Sequence, residues 1–102
     1  MNKVFMLVEE KIDVTEPYDG SSVSTVLYAS LEKEKIEEKF GEVLEKVLDD
    51  MNLDADVREE LERLSYYEFD SYDYIDIGSK NFANICNMES IYSLFVAEKE
   101  LM

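Results

Sequence analysis

Histidine is absent from this chain. That absence removes Ser-His and Cys-His nucleophile pairs, imidazole metal ligands and the commonest general base. There is one cysteine, Cys86. No intrachain disulfide can form, a reducing compartment fits best, and without a histidine partner the thiol reads as a small hydrophobe. One proline and three glycines leave room for few long loops. Gly20, Gly41 and Gly78 are too scattered to build a phosphate-binding loop or a dinucleotide fingerprint. The N-terminal apolar run, Val4 to Val8, is too short for a secretion signal or a membrane span. These absences predict a cytoplasmic protein that is not an enzyme and has no cofactor and no metal.

Basic residues are also scarce, ten against twenty-five acids in 102 residues, for a net charge of −15. Bare nucleic acid and anionic membranes are therefore electrostatically disfavoured partners, and a basic protein surface is the expected one. An apolar content of 46% argues against disorder, and the length fits a single domain, 1–102, with one modest core.

Val4–Val8 has the unbroken apolar character of a strand buried on both faces, at or near the centre of a sheet. The segment from Asp13 to Ser22, with Pro17 and Gly20, reads as a loop. Val23 to Ala29 alternates as a second strand and forms a hairpin with the first. Ser30 stands where a helix N-cap is expected, with Glu32 and Glu34 in the first turn. Ile36, Phe40, Val43, Leu44, Val47, Leu48 and Met51 make one helical stripe. Glu42 and Lys46 are spaced for an ion pair, and Gly41 lies off the stripe. Asp54 is placed to cap a second helix whose apolar face is Val57, Leu61 and Leu64.

Tyr66 to Ile77, rich in aromatic and β-branched residues, favours strand. It is either one strand or a turn at Asp70–Asp73 followed by pairing of Tyr74–Ile77. Gly78 to Glu89 reads as a polar loop anchored by Phe82 and Ile85, and Ser90–Leu101 as a last strand. The element order β-β-α-α-β-β predicts an α+β fold, a small antiparallel sheet with two helices packed on one face.

The chemical character concentrates between Asp49 and Asp76, which holds eleven acids against Arg58 and Arg63, together with four tyrosines. Asp50 to Val57 resembles the first eight positions of an EF-hand calcium loop. However, Ala55 stands where the turn needs glycine, and Leu61 where a bidentate glutamate belongs. A helix break with an acidic cap explains the same residues. Three aspartates at Asp70, Asp73 and Asp76 would not share one face of a strand.

What remains is the surface itself. A charge of −15 on so small a body exceeds what solubility needs and costs stability through self-repulsion. Acids two apart on a strand are ~6.6 Å apart and those four apart on a helix about 6 Å. These separations are comparable to phosphate spacing along a nucleic-acid strand. In size, charge and interleaving of aromatics with acids, the chain resembles small acidic proteins of phages and mobile elements, among them nucleic-acid mimics and anti-CRISPR inhibitors. Those proteins share no single fold, so the resemblance transfers no functional residues. It implies an inhibitor that occupies the basic, nucleic-acid-binding surface of a partner protein. The residues expected to bind are Glu68, Asp70, Tyr72, Asp73, Tyr74 and Asp76, supported by Asp49, Asp50, Asp54, Asp56, Glu59 and Glu60. The alternative is a small structural or interaction domain whose charge only confers solubility. It would be a homodimer if Ser90–Leu101, as an edge strand, or the tyrosine strand paired with a second copy.

Overall fold

Two twelve-residue strands, β1 (Asn2–Asp13) and β6 (Ser90–Leu101), run antiparallel along their whole length. The computed structural model describes residues 2–13 and 22–101. Outside β1 lies β2 (Ser22–Ser30). Beyond β6 follow β5 (Phe82–Cys86), β4 (Tyr74–Ser79) and β3 (Tyr66–Glu68). The result is one antiparallel six-stranded sheet in the order β2-β1-β6-β5-β4-β3. The helices α1 (Lys33–Asp50) and α2 (Ala55–Leu64) both lie on one face of it, giving the expected α+β class.

The core forms where the helical stripe meets one face of the sheet. Ile36, Phe40, Leu44 and Leu48 of α1 and Val57 and Leu61 of α2 are buried against Leu7, Leu94, Ala83, Ile85 and Ile75. The β1–β6 and β5–β6 registers place Leu7 and Leu94 on the same side as Phe5, Val96 and Ile85. An irregularity in β2, where Leu7 pairs with Tyr28 and Val8 with Val26, leaves Leu27 as an extra residue. Such a bulge re-aims a side chain, and Leu27 packs against the core. Burying each large aliphatic side chain stabilises the fold by about 1.5–3 kcal/mol.

Several local expectations need correction. Ser30 ends β2 instead of capping α1; its Oγ accepts a hydrogen bond from the Glu32 N–H at 3.1 Å, and Glu32 takes the N-cap position. Asp54 occupies the N-cap of α2, but its side chain makes no capping bond. Leu64 is exposed, because the α2 face that meets the sheet ends at Leu61. Glu42 pairs with Lys39 at 3.2 Å, one turn back, rather than with Lys46.

Tyr66–Ile77 is a hairpin, with both arms paired and residues 69–73 turning between them. Phe82–Cys86, within the segment read as a loop, is a strand held between β4 and β6. β6 is not an edge: β1 and β5 occupy both of its sides. The loop expected between β1 and β2 falls on 14–21, outside the described residues.

Candidate acidic binding surface

The candidate residues divide between two places. Asp49, Asp50, Asp54, Asp56, Glu59 and Glu60 gather where α1 ends and α2 begins. Asn52 adopts a left-handed φ of 55°, which asparagine tolerates well. Its N–H donates to the Asp49 carbonyl at 3.2 Å, and the chain turns into α2. Asp54 and Asp56 sit at the N-terminus of α2, where the helix dipole favours carboxylates. Asp49 and Asp50 sit at the C-terminus of α1, where it opposes them, and no base occupies that last turn.

Arg58 is the only base between Asp49 and Glu62, a span with seven acids. It reaches back across the corner to Glu45 and to Asp49, the latter at 3.5 Å. Its Nη1 is buried without a hydrogen-bond partner among the described residues. Glu60 pairs with Arg63 at 3.2 Å. Asp50, Asp54, Asp56, Glu59 and Glu62 have no ion pair among the described residues.

The second group lies on the β3–β4 hairpin. Register pairs Tyr66 with Asp76 and Glu68 with Tyr74, so these four share the face turned away from the helices. Tyr66 and Tyr74 stack with ring centroids 6.1 Å apart, and the Tyr66 hydroxyl donates to Glu68 at 3.3 Å. Partial desolvation and then the Glu68 charge raise the pKa of Tyr66. That of Tyr74 is raised first by its hydrogen bond with Cys86.

Asp70 does a different job. Its Oδ1 accepts the backbone N–H groups of Tyr72 at 2.8 Å and Asp73 at 2.9 Å, closing the turn. These bonds, Tyr72 first, lower the Asp70 pKa. Tyr72 is exposed at the turn and Asp73 half-buried.

The sheet therefore stands between the corner acids and Glu68 and Asp76, while Asp70 and Asp73 lie in the hairpin turn. Among the described residues no cluster of three or more acids or cysteines is arranged to hold a metal ion. No helix there is long and apolar enough to cross a membrane. A cleft of about 800 Å³ opens between α1 and the β1, β2 and β6 strands. In it the Tyr92 hydroxyl donates to Glu9 at 2.5 Å, and Lys11 and Lys46 offset the acids Glu42 and Asp50. Burial and then that bond hold the Tyr92 phenol well above the ordinary tyrosine range.

One surface was missed from the sequence, the face of the sheet on which, among the described residues, no helix lies. Val8, Val26, Phe82 and Phe95 share it. The signal was the run Val4–Val8, which is apolar in both alternating sets. Comparison with protein-family models, curated proteins and solved structures finds no match to this chain.

Proposed function

We propose that this chain is a non-enzymatic acidic binding protein, a nucleic-acid mimic that occupies the basic, nucleic-acid-binding surface of a partner protein and blocks it. The observation that carries the reading is the corner between α1 and α2. Seven acids stand there against Arg58 and Arg63, and Asp49 and Asp50 stand at a helix end that disfavours them. A fold selected for stability alone would place lysine or arginine in that turn. Acids three and four apart on a helix are about 5–6 Å from one another, a spacing that lysines and arginines built for phosphates can meet.

The hairpin is a second contact. Tyr72 offers an exposed aromatic ring beside Asp73 at its tip, whereas Asp70 serves the turn. Aromatic anchors of this kind supply the desolvated contact that charge lacks.

The test is capture from native host lysate on the immobilised chain, with duplex DNA or RNA as competitor. Proteins retained at low salt should be released by nucleic acid as well as by salt. The variant Asp50→Lys/Asp54→Lys/Asp56→Lys/Glu59→Lys should bind them about tenfold or more weakly, since each exposed pair contributes ~0.2–1 kcal/mol. Retention that ignores both the nucleic acid and the charge reversal would remove the reading. The other reading, a small interaction domain that self-associates, is favoured by a separate feature, the apolar face of the sheet that no helix covers.

A further inference from the structure

Alternation along β1 sends Phe5 and Leu7 to the helices and Met6 and Val8 to the opposite side. Register carries that opposite side across the sheet. Val8 pairs with Val26 and with Phe95, Phe95 with Phe82, and Cys86 with Ile91. An ordinary two-layer α+β domain alternates apolar in and polar out. Here the second set is largely apolar too, and among the described residues no helix packs on it, although Val8 and Cys86 within it are buried. Val26 is 55% exposed and Phe82 41%. The polar groups at the centre satisfy each other, with the Ser93 hydroxyl donating to Asn84 at 2.6 Å.

The face also carries much less charge than the helical side. Register places on it the carboxylates of Glu10, Glu68 and Asp76 and the ammonium of Lys99, a net −2 of the chain's −15. The two helices, with eleven acids between them, lie on the other side.

We infer that a second copy of this chain covers this face, joining two sheets into a symmetric dimer with the helices outside. The area fits. The strands hold 12, 9, 3, 6, 5 and 12 residues. At ~3.3 Å per residue and ~4.8 Å between strands, the face spans about 750 Å². A standard stable interface buries about 800 Å² per partner.

Charge fits as well. Sheets stack about 10 Å apart and a helix adds about 10 Å more on each side. The acidic helix layers then lie about 30 Å apart, beyond the ~10 Å screening length at 0.1 M salt. A strongly basic partner would find three carboxylates on this face against eleven on the helices, whereas a largely apolar face complements a second copy of itself. Pairing through β6 is closed, because both of its edges are occupied. The inference does not depend on the acidic corner and is tested without any other protein.

Sedimentation equilibrium of the full chain between 1 and 100 μM should give twice the mass of one chain, with association undiminished in 1 M salt. The variant Val26→Glu/Phe82→Glu, both exposed positions, should be a monomer whose circular dichroism matches the parent. A monomer at every concentration and salt would overturn the inference. So would a dimer untouched by the double variant, which would place the contact elsewhere. If the variant fails to fold, the parent alone decides: its thermal midpoint should rise with protein concentration, and a constant midpoint from 1 to 100 μM overturns the inference equally.

Discussion

Asp49 and Asp50 close α1 at the end where unpaired backbone carbonyls already concentrate negative charge, so Asp50→Asn is expected to make the protein more stable. A carboxylate at a helix C-terminus costs about 0.3–1 kcal/mol at low ionic strength. Against this, Asp50 lies four residues after Lys46, a spacing worth at most ~0.3 kcal/mol in this orientation, and no ion pair joins them. The net gain is about 0.5 kcal/mol. In a domain of this size that raises the thermal midpoint by roughly 2–4 °C. Screening limits it: at 0.5 M salt the Debye length falls to about 4 Å, and the gain should largely vanish.

Asp49→Asn is the control. It removes the partner 3.5 Å from Arg58, whose Nη1 already lacks a hydrogen bond, so its gain should be smaller or reversed. Thermal melts of the three proteins at 10 mM and 500 mM salt, at one protein concentration, make the comparison. A lower midpoint for Asp50→Asn at 10 mM salt would refute the reasoning, as would a gain that survives 500 mM. The same substitution should weaken capture of basic proteins, so stability and binding move in opposite directions.

Gly41 lies mid-helix with nothing within 4 Å of where a Cβ would stand; Gly41→Ala should raise unfolding free energy by about 0.5–1 kcal/mol in urea titration. Tyr92→Phe deletes the bond to Glu9 and should cost about 0.5–1.5 kcal/mol at neutral pH. Because the folded-state phenol pKa is raised, the Tyr92 contribution is complete below about pH 10 and is lost as pH climbs beyond it; the variant's stability should fall less steeply in alkali. Asp70→Ala should lower the thermal midpoint by opening the turn at 69–73, while Asp70→Asn, which keeps an acceptor oxygen, should lower it less. The Asp70 pKa is depressed, so its contribution is present above about pH 4 and disappears as pH falls toward the folded-state value; melts at pH 7 and pH 3 should show the Asp70→Ala penalty shrinking in acid.

The helices were legible because burial on one side writes a 3.6-residue period into the sequence, and Ile36, Phe40, Leu44 and Leu48 carry it cleanly. The alternation of Ser90–Leu101 was legible for the matching reason in strands. Its neighbours were not, since period two says which way a side chain points and nothing about which strand lies alongside. Hence β6 read as an edge and proved to be interior. β5 was hidden because Phe82 and Cys86 on one face and Ala83 and Ile85 on the other leave no alternation, while Asn84 looks like loop chemistry until Ser93 is placed opposite it. Val4–Val8 was legible in part: Leu7 and Val8, on opposite faces, are both buried as two apolar faces predict, yet the helices lie only on the Leu7 side. In the candidate site, the acids of the helical corner were visible as sequence, but their separation by the sheet from the tyrosine hairpin depends on long-range pairing.

The pairing of β1 with β6, which sets Met6 opposite Ala97, has a consequence for assembly. Before β6 is made, the sheet exists only as two fragments, the β1–β2 hairpin and the β3-β4-β5 meander, whose β1 and β5 edges await their partner. Closing a loop of roughly 90 residues costs about 4 kcal/mol of chain entropy; the helices, which pack on both fragments, offset part of it, and the strand hydrogen bonds that complete the sheet form only when β6 inserts between them. The strand made after the other five is thus the keystone of the sheet. Folding should be limited by that single insertion, and the open edges of β1 and β5 are the surfaces a nascent chain must keep apart until then.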